Sequence, residues 1–370
     1  MNFSFIAATN RNVPTPKRSA AGFTMIEMLV AMLVFLVVAG AAFSLFFSHA
    51  PLFTRQQNTA GLNIVLRNAV TQMEIDAVNA GNGYYPGPDV ASWPIGITIN
   101  NNNGAGGCYN AAAHTYSSGC FDTMTVITVD TNVPPAHPDP PGSSCVATDT
   151  SSTLFIDAPP PPTWTSSPTQ YASNFHTGDQ LLLIKSDGSQ MATTMLTKDG
   201  QMSGAKIQLQ HNPTGDSIAD PLGITTFAAS KGSSDPYNNK LGNQFCQTDW
   251  VLKLSWVQYS VDASDPTNPK LTRVVSGGAP QVIAEQIIGF KVGATLWNNN
   301  DSGDVYDFKN YNYSDYDPSQ VRSLLVSLIA RTTPNRTGDA NFRNSFDGGN
   351  YQIQSLSVAI NPRNLSMNDN

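Results

Sequence analysis

The 370-residue sequence has no HExxH zinc motif, no GxSxG nucleophile elbow and no P-loop. Its five histidines, His49, His114, His137, His176 and His211, are scattered singly, so each is expected to be a surface or hydrogen-bonded residue and not a metal ligand. No CxxC pair is present either. A basic excess is also lacking: the formal net charge is −7 at pH 7, which disfavours a general attraction to nucleic acid or anionic lipid. There is no internal repeat, and no clean linker divides the chain into independent halves. These absences place an interaction or structural protein ahead of an anchored enzyme.

The longest local absence is one of charge. Residues 28–47 carry no ionisable side chain, and at about 1.5 Å rise per residue such a helix spans roughly 30 Å, the hydrocarbon thickness of a bilayer. Glu27 sits at the entrance of this run, where an ordinary membrane anchor would avoid a carboxylate, and is therefore a functional candidate. Arg11, Lys17 and Arg18 precede it, then the small-residue junction Ser19-Ala20-Ala21-Gly22. A secretory signal places its apolar region before the cleavage site; here the apolar region comes after the junction, so a cut after Gly22 leaves it on the mature chain. The alternative is an uncleaved signal anchor in which Glu27 only complements the helix dipole. The basic residues fit an N-in, C-out orientation. Loss of residues 1–22, with three basic and no acidic groups, takes the charge from −7 to −10.

Beyond the span, Leu62, Val65, Leu66, Ala69, Met73 and Ala77 recur at helical spacing, with Asn63, Arg67, Gln72 and Glu74 largely outside that stripe. One helix over about residues 24–79 is expected, interrupted or kinked near Gly40, Pro51 and Gly61, and ended by the Asn/Gly run after 79. The remainder reads as β-rich. Strands are expected at 123–129, 153–156, 179–185, 190–196, 205–210, 251–261, 271–275, 287–292, 321–329 and 353–360. Alternation is clearest in the last, and a hairpin joins the run ending Val257, Tyr259, Val261 to Leu271. Segments 100–107, 134–144 and 158–169 read as exposed insertions. The organisation is thus 1–22 leader, 23–50 membrane helix, 51–80 amphipathic continuation and 81–370 β-rich globular domain, an α+β chain.

Cys108, Cys120, Cys145 and Cys246 all lie beyond the membrane segment, an even number on the side where disulfides persist. The short separation favours Cys108 with Cys120 and leaves Cys145 with Cys246, although three connectivities and free thiols remain formally open. Asp262 and Asp265, and Asp301, Asp304 and Asp307, form acidic loops able in principle to hold calcium; solvated carboxylates are the commoner outcome, so no metal or other cofactor is expected.

Gly22, Phe23, Thr24 and Glu27 together resemble the class III signal of type IV prepilins and type II secretion pseudopilins, with glycine before the cut, phenylalanine after it and glutamate as the fifth mature residue. The resemblance implies cleavage by prepilin peptidase on the cytoplasmic side, N-methylation of Phe23, and pairing of its amine with Glu27 of a neighbouring subunit. It also implies the pilin lollipop fold. Further along, the succession Phe121-Asp122-Thr123, Gly178-Asp179-Gln180, Val257-Gln258-Tyr259, Pro269-Lys270-Leu271, Ile329-Ala330-Arg331 and Asn361-Pro362-Arg363 is similar to PilW-like minor pilins and the related J-type pseudopilins. That likeness implies a minor pilin that helps initiate or cap a type IV pilus, with a J-type secretion pseudopilin or a pilus-borne adhesive module as alternatives. The implied partners are prepilin peptidase, other major and minor pilins or pseudopilins and an inner-membrane assembly platform, with no nucleic acid. The implied location is the inner membrane with a periplasmic C-terminal domain, and afterwards the cell-surface pilus.

Overall fold

Helix α1 runs from Met25 to Val78 in the computed structural model, which describes residues 22–81, 96–102, 107–146, 152–159, 166–187, 191–211, 241, 244–296, 307–309, 321–333 and 341–362. The expected interruption does not occur. Gly40, Pro51 and Gly61 all lie inside one helix. Proline supplies no N–H for its own turn, but the turns on both sides keep theirs, so one missing bond does not end the element. The end is local as well. Asn79 and Ala80 donate to the carbonyls of Asp76 and Ala77 at 3.2 and 3.1 Å, and Gly81 turns left-handed at φ +70°. The leader before Gly22 lies outside the described residues.

The chain divides into two compact units, Met1–Phe53 and Thr54–Asn370. In the first, the described apolar side chains are bare: Phe23 is 87% and Met25 91% exposed, and Leu29, Leu33, Phe35, Leu36, Phe43 and Phe47 are exposed too. One helix turned outward on all sides has nothing in its own unit to cover it, the expected condition of a span whose solvent is lipid or other helices.

In the second unit the remainder of α1 buries Leu62, Leu66, Ala69, Met73 and Ala77, as its spacing dictates, with Val65 partly covered and Val70 added. They pack with two antiparallel sheets. Among the described residues the first has seven strands: β1 (Ile97–Asn100), β4 (Thr123–Val129), β10 (Trp250–Asp262), β11 (Lys270–Val275) and β12 (Gln281–Glu285) in that order, with β6 (Gln180–Ile184) also on β10 and β7 (Met191–Met195) on β6. The second runs β14 (Asp307–Lys309), β13 (Ile287–Leu296), β15 (Val321–Arg331), β16 (Ile353–Ile360). β10 and β11 are the expected hairpin, closed at Asp262 opposite Lys270. In β16, Leu356 and Val358 are half-buried and Ile360 buried, whereas Ser355, Ser357 and Ala359 are exposed. Alternate Leu324, Val326, Leu328 and Ala330 of β15 complete the inner face of the same core.

A second apolar cluster gathers Leu154, Ile156, Tyr171, Phe175, Leu181, Leu183, Ile207, Leu209 and Phe245. Around it lie the sheet of β5 (Thr153–Ile156), β9 (Lys206–Gln210) and β8 (Gln201–Ser203), and the short helix α2 (Pro168–Ala172). β2 (Tyr109–Asn110) and β3 (Thr115–Tyr116) form a separate two-stranded hairpin. Segment 134–144 departs from its reading as an exposed insertion. Ala136 and Val251 exchange backbone bonds at 3.0 and 2.8 Å, Pro138 bridges to Ile156, and the Tyr171 hydroxyl donates to the Pro134 carbonyl. Prolines gave this stretch the composition of a loop, but a strap needs only the few N–H groups it retains in order to lie along a core. Only its second half, from Pro141, faces solvent.

Candidate functional site

The residues that open α1 close a capping box. The backbone N–H and the hydroxyl of Thr24 both donate to Glu27 Oε2 at 2.8 Å, and the Glu27 N–H donates back to Thr24 Oγ1 at 3.3 Å. The Met28 N–H reaches the Thr24 carbonyl at 3.2 Å, starting the helix ladder. Thr24 and Glu27 have the Thr-x-x-Glu spacing of this motif, which satisfies N–H groups that a helix start leaves open. The carboxylate is exposed, so it stays accessible to a further cationic partner while it caps its own chain. Gly22 precedes the box with open space around it: a Cβ placed there meets nothing within 4 Å. Phe23 projects beside it. Chemically the arrangement offers an accessible peptide bond, an apolar residue at the new end and a fixed carboxylate one turn inside.

The cysteines are bonded Cys108–Cys120 and Cys145–Cys246, with sequence separations of 12 and 101. The first closes the β2–β3 hairpin. The second ties the residue just after the 134–144 strap to the turn before β10, where Asp249 Oδ2 accepts the Cys246 N–H at 2.7 Å and Lys185 lies 3.2 Å from the same carboxylate.

The acidic loops use their oxygens locally. Asp262 Oδ1 accepts the Ser264 N–H at 2.9 Å, and Asp265 Oδ1 accepts the Thr267 N–H at 3.0 Å and its hydroxyl at 2.6 Å. These bonds hold both carboxyls below the ordinary carboxylate value, for Asp262 chiefly the one from the Ser264 backbone and for Asp265 chiefly the one from the Thr267 side chain. Asp301 and Asp304 lie outside the described residues, as does the side chain of Asp307. The histidines are placed separately: His114 Nδ1 meets the Tyr109 hydroxyl at 3.0 Å, His137 Nδ1 meets the Asp249 carbonyl at 2.8 Å, and His176 lies beside Asp179.

Sequence reasoning missed three polar anchors. Asp76 of α1 holds Arg273, and Tyr259 donates to the same carboxylate. Asp122, 1% exposed, accepts Lys291 Nζ at 2.8 Å, the Val292 N–H at 3.0 Å and the Asn102 N–H at 3.0 Å. Arg331, 2% exposed, donates to the Gln286 side chain at 2.8 Å and to the His114 and Thr267 carbonyls at 2.8 and 2.9 Å, with its guanidinium over Tyr351. Beside it Asp347 receives the hydroxyls of Tyr116 and Tyr351. The one available signal was Asp76, an acid set between Met73 and Ala77 on the apolar stripe.

The model of the prokaryotic N-terminal methylation motif matches residues 17–43. No curated protein matches the sequence. A solved type IV-like pilin from Thermus thermophilus is similar at 12% identity, over 53% of this chain and 90% of that one, with a TM-score of 0.18, a superposition too slight to support any conclusion. The motif match falls on the capping box and the apolar helix just described. It joins the junction, the cap and the span into one signal.

Proposed function

We propose that the chain is a minor pilin: a structural subunit that prepilin peptidase trims between Gly22 and Phe23 and that enters, and helps to initiate or cap, a type IV pilus. The carrying observation is the methylation motif at residues 17–43, set on a helix whose apolar surface is bare throughout its own unit. The motif supports the type IV pilin superfamily. A subunit of this kind needs an apolar helix that exchanges lipid for neighbouring helices, and residues 23–53 meet that need.

In this reading the new amine on Phe23 is methylated and is met by Glu27 of a neighbouring subunit. Two charges that are each costly in an apolar setting become tolerable as a pair. The capping box adds a condition: Thr24 holds the carboxylate at the helix end, pre-set for that partner. The second unit, with its two disulfides, suits an oxidising compartment beyond the membrane.

The test is N-terminal sequencing of the chain from membranes and from sheared filaments of the same cells. A mature chain beginning at Phe23 in both fractions supports the proposal. An intact leader in cells with active peptidase, or absence from every filament preparation, overturns it. Gly22→Ala should be processed in part, and a bulky residue at 22 should block the cut.

A further inference from the structure

We infer that the Cys145–Cys246 bond is a redox switch: a dithiol opens it and frees the arm Pro140–Cys145, while the rest of the second unit stays folded.

The two cysteines stand opposite each other in an antiparallel bridge. On either side of them one backbone bond joins the same two segments, from the Val146 N–H to the Phe245 carbonyl at 2.8 Å and from the Gln247 N–H to the Ser144 carbonyl at 3.0 Å. Their anchoring is unequal. Cys246 follows Phe245, a buried member of the second apolar cluster, and opens a turn closed by Asp249. Its N–H reaches Asp249 Oδ2 at 2.7 Å, and its carbonyl accepts the Asp249 N–H at 2.9 Å. Asp249, 3% exposed, is fixed in turn by the Ser186 N–H at 2.8 Å and by Lys185 at 3.2 Å. Cys246 therefore keeps its place whether or not the sulfurs are joined.

The arm that carries Cys145 lacks this support. Pro141, Gly142, Ser143 and Ser144 are exposed, and among the described residues nothing from Pro140 to Cys145 belongs to an apolar cluster. The Ser143 hydroxyl donates to the Cys145 carbonyl at 3.0 Å and its oxygen accepts the Cys145 N–H at 3.2 Å, so these bonds stay within the arm. The strap before the arm is pinned by itself: the Asp139 N–H reaches the Phe155 carbonyl at 2.7 Å, and Lys206 Nζ lies 2.7 Å from Asp139 Oδ1. Release of the arm stops there.

Cys108–Cys120 is the contrast within the same chain. Cys120 packs against the main core, and its hairpin is held at His114 by Arg331 and at Tyr116 by Asp347. Thiols that stay together re-close at high effective concentration, whereas the Cys145 thiol leaves with its arm. In the exchange a thiolate of the dithiol attacks one sulfur of the pair, forming a mixed disulfide and expelling the other cysteine as thiolate. The second thiol of the same molecule then displaces the remaining cysteine. The dithiol is oxidised to a cyclic disulfide, two electrons pass to the pair, and the two dithiol protons end on the cysteine sulfurs.

The test titrates dithiothreitol against the full chain in detergent, assigns alkylated thiols by peptide mass and follows amide exchange in the same samples. Cys145 and Cys246 should be labelled at a concentration about tenfold below the one that labels Cys108 and Cys120. In that partly reduced chain Val146 and Gln247 should exchange about tenfold faster than before, and about a hundredfold faster than the strand amides of Tyr259 and Leu328. Oxidised dithiothreitol should restore the bond and the protection. Cys145→Ser should reproduce the local exchange pattern without reductant. Opening of both bonds at one concentration overturns the switch, as does a Cys145–Cys246 bond that yields only in denaturant, or unchanged exchange at Val146 and Gln247 after reduction. Exchange that rises to one common rate in arm and strands, or a Cys145→Ser chain that does not fold, identifies a structural staple and overturns the switch as well.

Discussion

Asp76 of α1 and Arg273 of β11, 197 residues apart in sequence, meet at two points: Nε donates to Oδ2 at 2.8 Å and Nη2 to Oδ1 at 3.2 Å. Both side chains are mostly buried, 13% and 18% exposed, and the Tyr259 hydroxyl donates to the same carboxylate. The bonds to Asp76 raise the Arg273 guanidinium; burial first, and then Asp76, raises the Tyr259 phenol. The pair fixes the angular position of the helix on the sheet, which apolar contacts alone leave adjustable.

Removing one partner should therefore cost more than removing both. Asp76→Ala leaves a guanidinium without its carboxylate, and about 3 kcal/mol of stability should be lost. Asp76→Ala with Arg273→Ala should lose less than the sum of the single changes. Denaturant unfolding of the four proteins of the cycle measures the coupling, and additive losses would show that the pair contributes nothing specific.

Glu27 caps its own helix and is the partner proposed for a neighbouring amine, and substitutions can separate the two. Glu27→Val removes one half of the capping box and also the partner proposed for a neighbouring amine. The apolar run 28–47, proposed to drive insertion, is untouched by this substitution. The expected result is full membrane retention with little protein in sheared filaments. Thr24→Ala loosens the cap and keeps the charge, so its incorporation should fall less. Equal amounts of Glu27→Val and wild type in filaments would mean that the carboxylate is dispensable. A subunit at the very tip has no neighbour ahead of it, so co-purification with other minor subunits should be measured in the same cells.

The two disulfides should differ in weight. Replacing Cys145 and Cys246 releases a loop of 101 residues and should cost about 2–5 kcal/mol, against about 3 or less for the 12-residue loop of Cys108 and Cys120. Alkylation without reductant should label no cysteine in the membrane-extracted protein. Complete labelling would exclude both bonds.

Acid should weaken the second unit partly through Asp347. Burial alone would raise this carboxyl, but hydrogen bonds from Tyr351, Tyr116, the Gly349 N–H and Asn344 outweigh it and hold the group below its ordinary value of 3.8. A group depressed in the folded state contributes stability that is complete above its unfolded value and is lost as pH falls through its folded one. The melting temperature should stay level from neutral pH to about 5 and drop below that. Asp347→Asn should melt lower at pH 7 and show a shallower acid decline. An unchanged acid slope in Asp347→Asn would assign the effect to other depressed carboxyls such as Asp139, Asp262 and Asp265.

Sequence by itself determined whatever depends on neighbours along the chain. The order of basic residues, small junction and uncharged run gave the N-terminal methylation motif; helical spacing gave the buried stripe from Leu62 to Ala77; alternation gave the inner face of β16. Each is a short-range pattern, set by the period of a helix or a strand. Tertiary structure decided the rest: which of three cysteine pairings forms, that the proline-bearing strap from Pro134 to Asp139 packs against core strands, and that Asp76, Asp122 and Arg331 are buried with partners far off in sequence. A polar residue is stable inside only when its own bonds are met there. Whether they are met depends on which surfaces come together, and no local period encodes that.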